Sequence, residues 1–144
     1  MFKRNLAVVI GINDYRHGVN PLKTAVPDAE RVAETLRQVH DYTLLHPRLQ
    51  TPAAILDSDA TLSALRHLFD HTLPKQVQPS EQDRLLIYFA GHGITRQTDD
   101  YGPQGYLVPQ DGEITQPGTL HSMAALYQAL NQLKCRHLLL VLDC

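Results

Sequence analysis

The chain has 144 residues, 43% apolar and 19% charged, with a formal net charge of −2. That is the size of one domain with a real core, and the lack of any basic block argues against nucleic acid or an anionic membrane as partner. No apolar run approaches the roughly 18 residues of a membrane span, and two cysteines make no disulfide framework, so a reducing, cytoplasmic setting is expected.

In chain order, Leu6-Ala7-Val8-Val9-Ile10-Gly11-Ile12 is apolar without alternation, as in a parallel strand covered on both faces. Met1-Phe2-Lys3-Arg4 precedes it, but Asn13-Asp14-Tyr15 and no small-residue cleavage site follow, so the run is a first strand and not a signal peptide. A loop runs through Gly18, Asn20 and Pro21. Pro27 suits a first helical turn, and Ala29, Val32, Ala33, Leu36 and Val39 follow at helical spacing. Asp28 lies in that first turn, where the helix dipole favours a carboxylate.

Tyr42-Thr43-Leu44-Leu45 predicts a short second strand. Asp57 to Thr61 offers several caps for a helix carrying Leu62, Leu65, Leu68 and Phe69, and Pro74 to Ser80 reads as a polar linker. Leu85-Leu86-Ile87-Tyr88-Phe89 predicts a buried strand that Gly91-His92-Gly93 stops. Ile94 to Gly105 is polar and turn-rich, and Tyr106-Leu107-Val108-Pro109 is a candidate edge strand ended by its proline. Thr119 or Ser122 caps a third helix with Met123, Leu126, Tyr127, Leu130 and Leu133 inward. His137 to Leu142 predicts a final strand. Strands alternating with helices give an α/β class, a parallel-rich sheet flanked by helices on both faces. The chain ends on that last buried-strand run, which is unusual for a terminus. The expectation is a C-terminally incomplete sheet and a piece of a longer protein.

Two strand ends carry chemistry. Ligands bind at the carboxyl ends of strands in open α/β sheets, and His92 follows one strand while Asp143-Cys144 ends another, about 50 positions on. A Cys/His pair in that relation is a candidate nucleophile with its base. Gly93 is suited to give a backbone N–H to an oxyanion, since no Cβ blocks the approach. Cys135 reads as structural. The remaining histidines, His17, His40, His46, His67, His71, His121 and His137, lack metal-ligand spacing.

Gly11-Ile12-Asn13-Asp14-Tyr15, Leu22-Lys23-Thr24-Ala25-Val26-Pro27-Asp28-Ala29, Tyr88-Phe89-Ala90-Gly91-His92-Gly93, Tyr106-Leu107-Val108-Pro109-Gln110-Asp111 and Leu140-Val141-Leu142-Asp143-Cys144 together resemble the caspase-like cysteine peptidases. The bacterial caspase homologues and metacaspases are the nearest branch. The ordered set covers nearly the whole chain.

The resemblance implies that residues 1–144 are a large-subunit-like portion of a caspase-like catalytic domain, with the small-subunit portion absent. It implies that His92 is the catalytic histidine and Gly93 the oxyanion-hole glycine. Asp143 matches the aspartate two places before the nucleophile in the metacaspase-like pattern. In that register Cys144 is the intervening residue and the nucleophile is the next position of a longer chain; with a slip of one, Cys144 itself is the nucleophile. Asp28 and Asp143 match the two carboxylates of an acidic pocket, implying a polypeptide substrate cut after Arg or Lys, since a guanidinium seeks a bidentate carboxylate. No cofactor is expected. Some metacaspases bind calcium through aspartates, but Asp99, Asp100 and Asp111 form no oxygen-ligand loop pattern.

Fusion to or association with regulatory domains, as in prokaryotic defence or cell-death systems, is a further implication. The alternative from another class is a catalytically inactive caspase-like scaffold. A nucleotide-binding domain fits less well, because Gly11-Ile12-Asn13 is neither a P-loop nor a dinucleotide fingerprint.

Overall fold

The apolar runs pair side by side and in parallel. Residues 1–48 and 50–144 are described by a computed structural model. Its main sheet contains β1 (Arg4–Gly11), β2 (Thr43–Leu44), β3 (Ile55–Leu56), β4 (Asp83–Ala90) and the last strand, His137–Asp143. The order is β2-β1-β4 and then the last strand, with β3 on the same edge of β1 as β2, and every pairing is parallel. Both faces are covered, which is why the central strands show no polar alternation.

Helix α1 (Ala25–Val39) covers one face. Its small residues Ala25, Ala29 and Ala33 pack against Ala7, Val9, Tyr88 and Ala90, so helix and sheet approach closely. The helix begins two residues before Pro27, with Thr24 as an N-cap that makes no side-chain bond. The Val26 N–H instead donates to Oδ1 of Asn13, at 3.1 Å, so the loop after β1 caps the helix from outside. Asp28 keeps its expected place in the first turn.

The opposite face is covered by α2 (Leu62–His67), a π-helical segment (Leu68–Val77) and α3 (Met123–Asn131). Phe69, Leu73, Leu126 and Leu130 there meet Leu6, Val8, Ile10, Ile87 and Phe89. Thr61 caps α2 and Ser122 caps α3, each accepting an N–H from three residues on, while Thr119 does not cap α3. The supposed linker from Pro74 is helical as far as Val77. Pro74 lacks an N–H for an ordinary α turn, and the chain passes it in wider turns.

The stretch Ile94–Gly105, taken as turn-rich, is mostly strand. β5 (Gly93–Thr98) and β6 (Gly102–Leu107) form an antiparallel hairpin, extended by the short β7 (His121–Ser122). The last strand of the main sheet is therefore β8. Alternate residues of β5 are exposed, so its period of two is carried by polar side chains and gives no apolar signal. Among the described residues, no helix is long and apolar enough to cross a membrane.

Two carboxylates, one buried and one half-buried, hold the frame. Asp83, fully buried at the start of β4, takes both forks of Arg4 (Nε at 3.1 Å, Nη2 at 2.7 Å) together with the N–H and hydroxyl of Ser80. Arg4 also donates to the carbonyls of Val77 and Gln78, closing the end of the π-helical segment. The Arg4 hydrogen bond holds the Asp83 carboxyl well below the usual carboxylate range. Asp57, in left-handed backbone at φ 42°, accepts the N–H groups of Asn13 (2.7 Å) and Asp14 (3.0 Å) on one oxygen. It thereby fixes where the loop after β1 sets out.

Asp83→Asn is expected to lower stability by about 3 kcal/mol at pH 7, because Arg4 and the buried site lose their charge partner. A depressed native pKa means that this stabilisation is complete above the unfolded carboxylate's pKa and is lost as pH falls below about 4. Urea titrations of both forms at pH 7 and pH 3 check this, the gap narrowing at pH 3. Asp57→Ala is expected to cost about 1–3 kcal/mol through two unpaired N–H groups. Hydrogen exchange should speed up at Asn13 and Asp14 before it does so in β1.

Candidate active site

The site follows from one ladder. β4 and β8 pair from Arg84↔His137 to Ala90↔Asp143, and the pairing ends with the Gly91 N–H donating to the Asp143 carbonyl at 3.1 Å. Both strands run the same way, so Gly91-His92-Gly93 and Asp143-Cys144 leave the sheet at the same edge, side by side.

Strand alternation then sorts the side chains. Tyr88, Ala90 and Val141 face α1, and Asp143 follows them in parity. Its Oδ2 accepts the Tyr88 hydroxyl at 3.2 Å. Tyr88 is buried, and its phenol is pushed up to about 12, first by burial, then by Asp143, with Asp28 adding to the effect. Of the two carboxylates singled out in the sequence, Asp143 is thus hydrogen-bonded to the phenol, while Asp28, on α1 over the same face of the sheet, is felt there only as a charge. Asp28 is half-buried and lies 3.7 Å from an Arg31 guanidinium nitrogen.

Cys144 has the opposite parity and turns toward the hairpin. There it lines a shallow cleft of about 260 Å³ with Gly93, Ile94, Tyr106, Met123 and Leu142. A Cβ at Gly93 would stand 3.0 Å from the Cys144 sulfur, so a larger residue there would press on the thiol. Cys144 is exposed as a residue, and the partial burial of its sulfur in the cleft, then Asp143, pushes the thiol up, which works against thiolate formation.

His92 is half-buried and held at three points. Its N–H donates to the Tyr15 hydroxyl at 2.7 Å, and its Nε2 is 2.8 Å from the Asn20 carbonyl oxygen. Its own carbonyl accepts the Val108 N–H at 2.9 Å. A carbonyl oxygen can only accept, so Nε2 carries the proton and Nδ1 is left as the free base in the neutral ring. The Tyr15 ring lies beside the imidazole, with centroids 5.0 Å apart. Among the described residues, His92 and Cys144 share no hydrogen bond.

Tyr15, Asn20 and Tyr88 were not singled out from the sequence as site residues. Their partners are 77, 72 and 55 positions away, a distance at which no local pattern signals contact. The aspartates considered for calcium do other work or none here. Asp111 caps α2 by accepting the Leu62 N–H, and among the described residues no three His, Cys, Asp or Glu side chains are grouped to hold a metal ion. Cys135 donates to the backbone carbonyl of Asp83, a structural place.

Comparison with known proteins bears on the family and the fold. The family profile of the caspase domain, a peptidase family, matches residues 4–144. A probable protease of a Desulfuromonadales bacterium is 26% identical over 149 residues, covering 97% of this chain and 18% of that protein. The crystal structure of a Geobacter sulfurreducens protein superposes with a TM-score of 0.67 at 15% identity, over 96% of this chain and 48% of that one, a likeness of fold. The chain thus spans about a fifth of that curated relative and about half of that solved one. With the match running almost end to end over a parallel sheet covered on both faces, this chain belongs to the caspase-domain family of peptidases.

Proposed function

We propose that the chain is the large-subunit-like portion of a caspase-type cysteine endopeptidase that cuts polypeptides after Arg or Lys, within a larger bacterial regulatory or defence protein. The observation that carries this is the shared edge of β4 and β8, where the glycine-flanked His92 adjoins Asp143-Cys144 and a carboxylate pair lies on the α1 side.

In this reading, a thiolate attacks the scissile carbonyl carbon and His92 Nδ1 takes the thiol proton, later giving it to the leaving amine. The Gly93 N–H stabilises the oxyanion. Asp28 and Asp143 hold the guanidinium or ammonium group of the substrate, with Tyr88 fixing the Asp143 carboxylate. The nucleophile is Cys144 or the residue after it in a longer chain. Two observations favour the latter. Cys144 faces the hairpin with its thiol pushed up, and alternation would turn the next residue to the face of Asp143 and the carboxylate pair.

The test uses the protein extended past Cys144 and a fluorogenic peptide with Arg before the reporter. His92→Ala is expected to lower kcat by about 10²–10⁴-fold. Asp28→Asn or Asp143→Asn should lower kcat/KM for the Arg peptide by about 10- to 100-fold, the worth of a charged hydrogen bond of ~1.5–3 kcal/mol. Turnover equal to wild type in the His92 variant would overturn the assignment of His92, and no turnover in the wild-type protein would overturn the peptidase reading in favour of a scaffold. Full retention in the Asp variants would overturn the basic specificity alone.

A further inference from the structure

We infer that Tyr15 is a positioning residue for His92: its phenol oxygen replaces a ladder carbonyl where β4 parts from β1, and so fixes the peptide that carries the imidazole. The inference rests on the reading of His92 as the acid–base group.

The ladder shows what is replaced. The β1–β4 pairing runs to Gly11↔Ala90, and the Ile12 N–H then donates to the Ala90 carbonyl at 3.0 Å. In a parallel ladder one residue bonds to two on its partner strand, two positions apart. The next bond would carry the His92 N–H to the Ile12 carbonyl. It goes instead to the Tyr15 hydroxyl, at 2.7 Å. A side chain from the following loop thus satisfies the first N–H beyond the sheet. The strand end is free to diverge without leaving a half-buried donor unpaired.

The loop that supplies this hydroxyl is itself closed. The Leu22 N–H donates to the Asn13 carbonyl at 2.9 Å, the Arg16 N–H to the Gln110 carbonyl at 2.9 Å, and Asp57 holds Asn13 and Asp14. Tyr15 and Asn20 both lie within it. One pinned loop therefore grips His92 twice, by the main chain through Tyr15 and by the ring through Asn20. The fit is tight: a Cβ at Gly91 would stand 2.7 Å from the Tyr15 oxygen and 3.0 Å from Phe89 Cζ. Gly91 thus permits the phenol's approach while its own N–H reaches Asp143 on the other side. Burial keeps the phenol neutral, its pKa pushed up to about 12, so it retains the hydroxyl form that accepts this bond at working pH.

The consequence is a fixed tautomer. With the peptide held, the ring presents Nε2 to Asn20 and leaves Nδ1 free. Without the phenol, the His92 peptide can rotate and the Nε2 contact loosens. The test is ¹⁵N NMR on the 144-residue chain, comparing wild type with Tyr15→Phe, which keeps the ring and removes only the acceptor. Wild type is expected to show a single Nε2-protonated form of His92. Tyr15→Phe should show a mixture of tautomers, and exchange of the His92 amide should be at least about tenfold faster, the loss of one hydrogen bond. A merely structural tyrosine would lower the melting temperature and leave the tautomer unchanged.

Gly91→Ala, which displaces the phenol by its Cβ, should move the same two signals in the same direction and serves where Tyr15→Phe does not fold. An unchanged tautomer and amide exchange in a folded variant would overturn the inference. Because neither readout is turnover, this failure is distinct from a failure of the peptidase reading, which the His92→Ala variant addresses.

Discussion

The in-register parallel ladder between β4 and β8 is the constraint on which everything at the candidate site depends. It carries seven Cα pairs and ends where the chemistry begins. A slip of one residue would exchange the faces of every β8 side chain. Asp143 would leave Tyr88, and Cys144 would turn away from Gly93 into the α1 face. The register is held by burial on two sides: Leu138 and Leu140 pack with Ile87 and Phe89 on the α3 side, and Val141 packs with Tyr88 and Ala90 on the α1 side.

The two faces of this strand end have different electrostatic characters. On the α1 side, Asp28 sits in the first turn of a helix, where the macrodipole favours a negative charge, and exposed Asp143 receives a hydrogen bond from a buried phenol. Both carboxylates keep contact with water, so neither requires burial of an unpaired charge. That leaves them available to an incoming cation. On the hairpin side, the thiol rests on Gly93 in a shallow, mainly apolar cleft, where ionisation is disfavoured. The proposed chemistry divides along this line, with cation recognition on one face and the approach to the oxyanion site on the other.

Much of this was legible in the residues. The strands β1 and β4 read as unbroken apolar runs because both their faces are covered, and β8 reads the same way although it is an edge strand with Leu139 and Leu142 exposed. Asp28 read as a first-turn carboxylate, and Gly-His-Gly as a strand stop. What stayed hidden has a common cause. Alternate residues of β5 are exposed and most of its side chains are polar, so its alternation resembles a loop. The helix through Pro74 contradicts the local signal because tertiary packing of Phe69 and Leu73 overrides it. Tyr15, Asn20 and Asp57 act through one or two hydrogen bonds to groups distant in sequence, which no spacing rule describes. The loop after β1 looked like a connector; it is the part that holds the histidine.

The central claim is spatial, and paramagnetic relaxation tests it most directly. A nitroxide attached to Cys144 in a Cys135→Ser background should broaden the amide signals of Gly91, His92 and Gly93 beyond detection. Asp83, at the far end of β4 and about 25 Å away by the rise of a strand, should stay sharp. Sharp signals at His92 and Gly93 beside a labelled Cys144 would contradict the account, because the two strand ends would then not leave the sheet together.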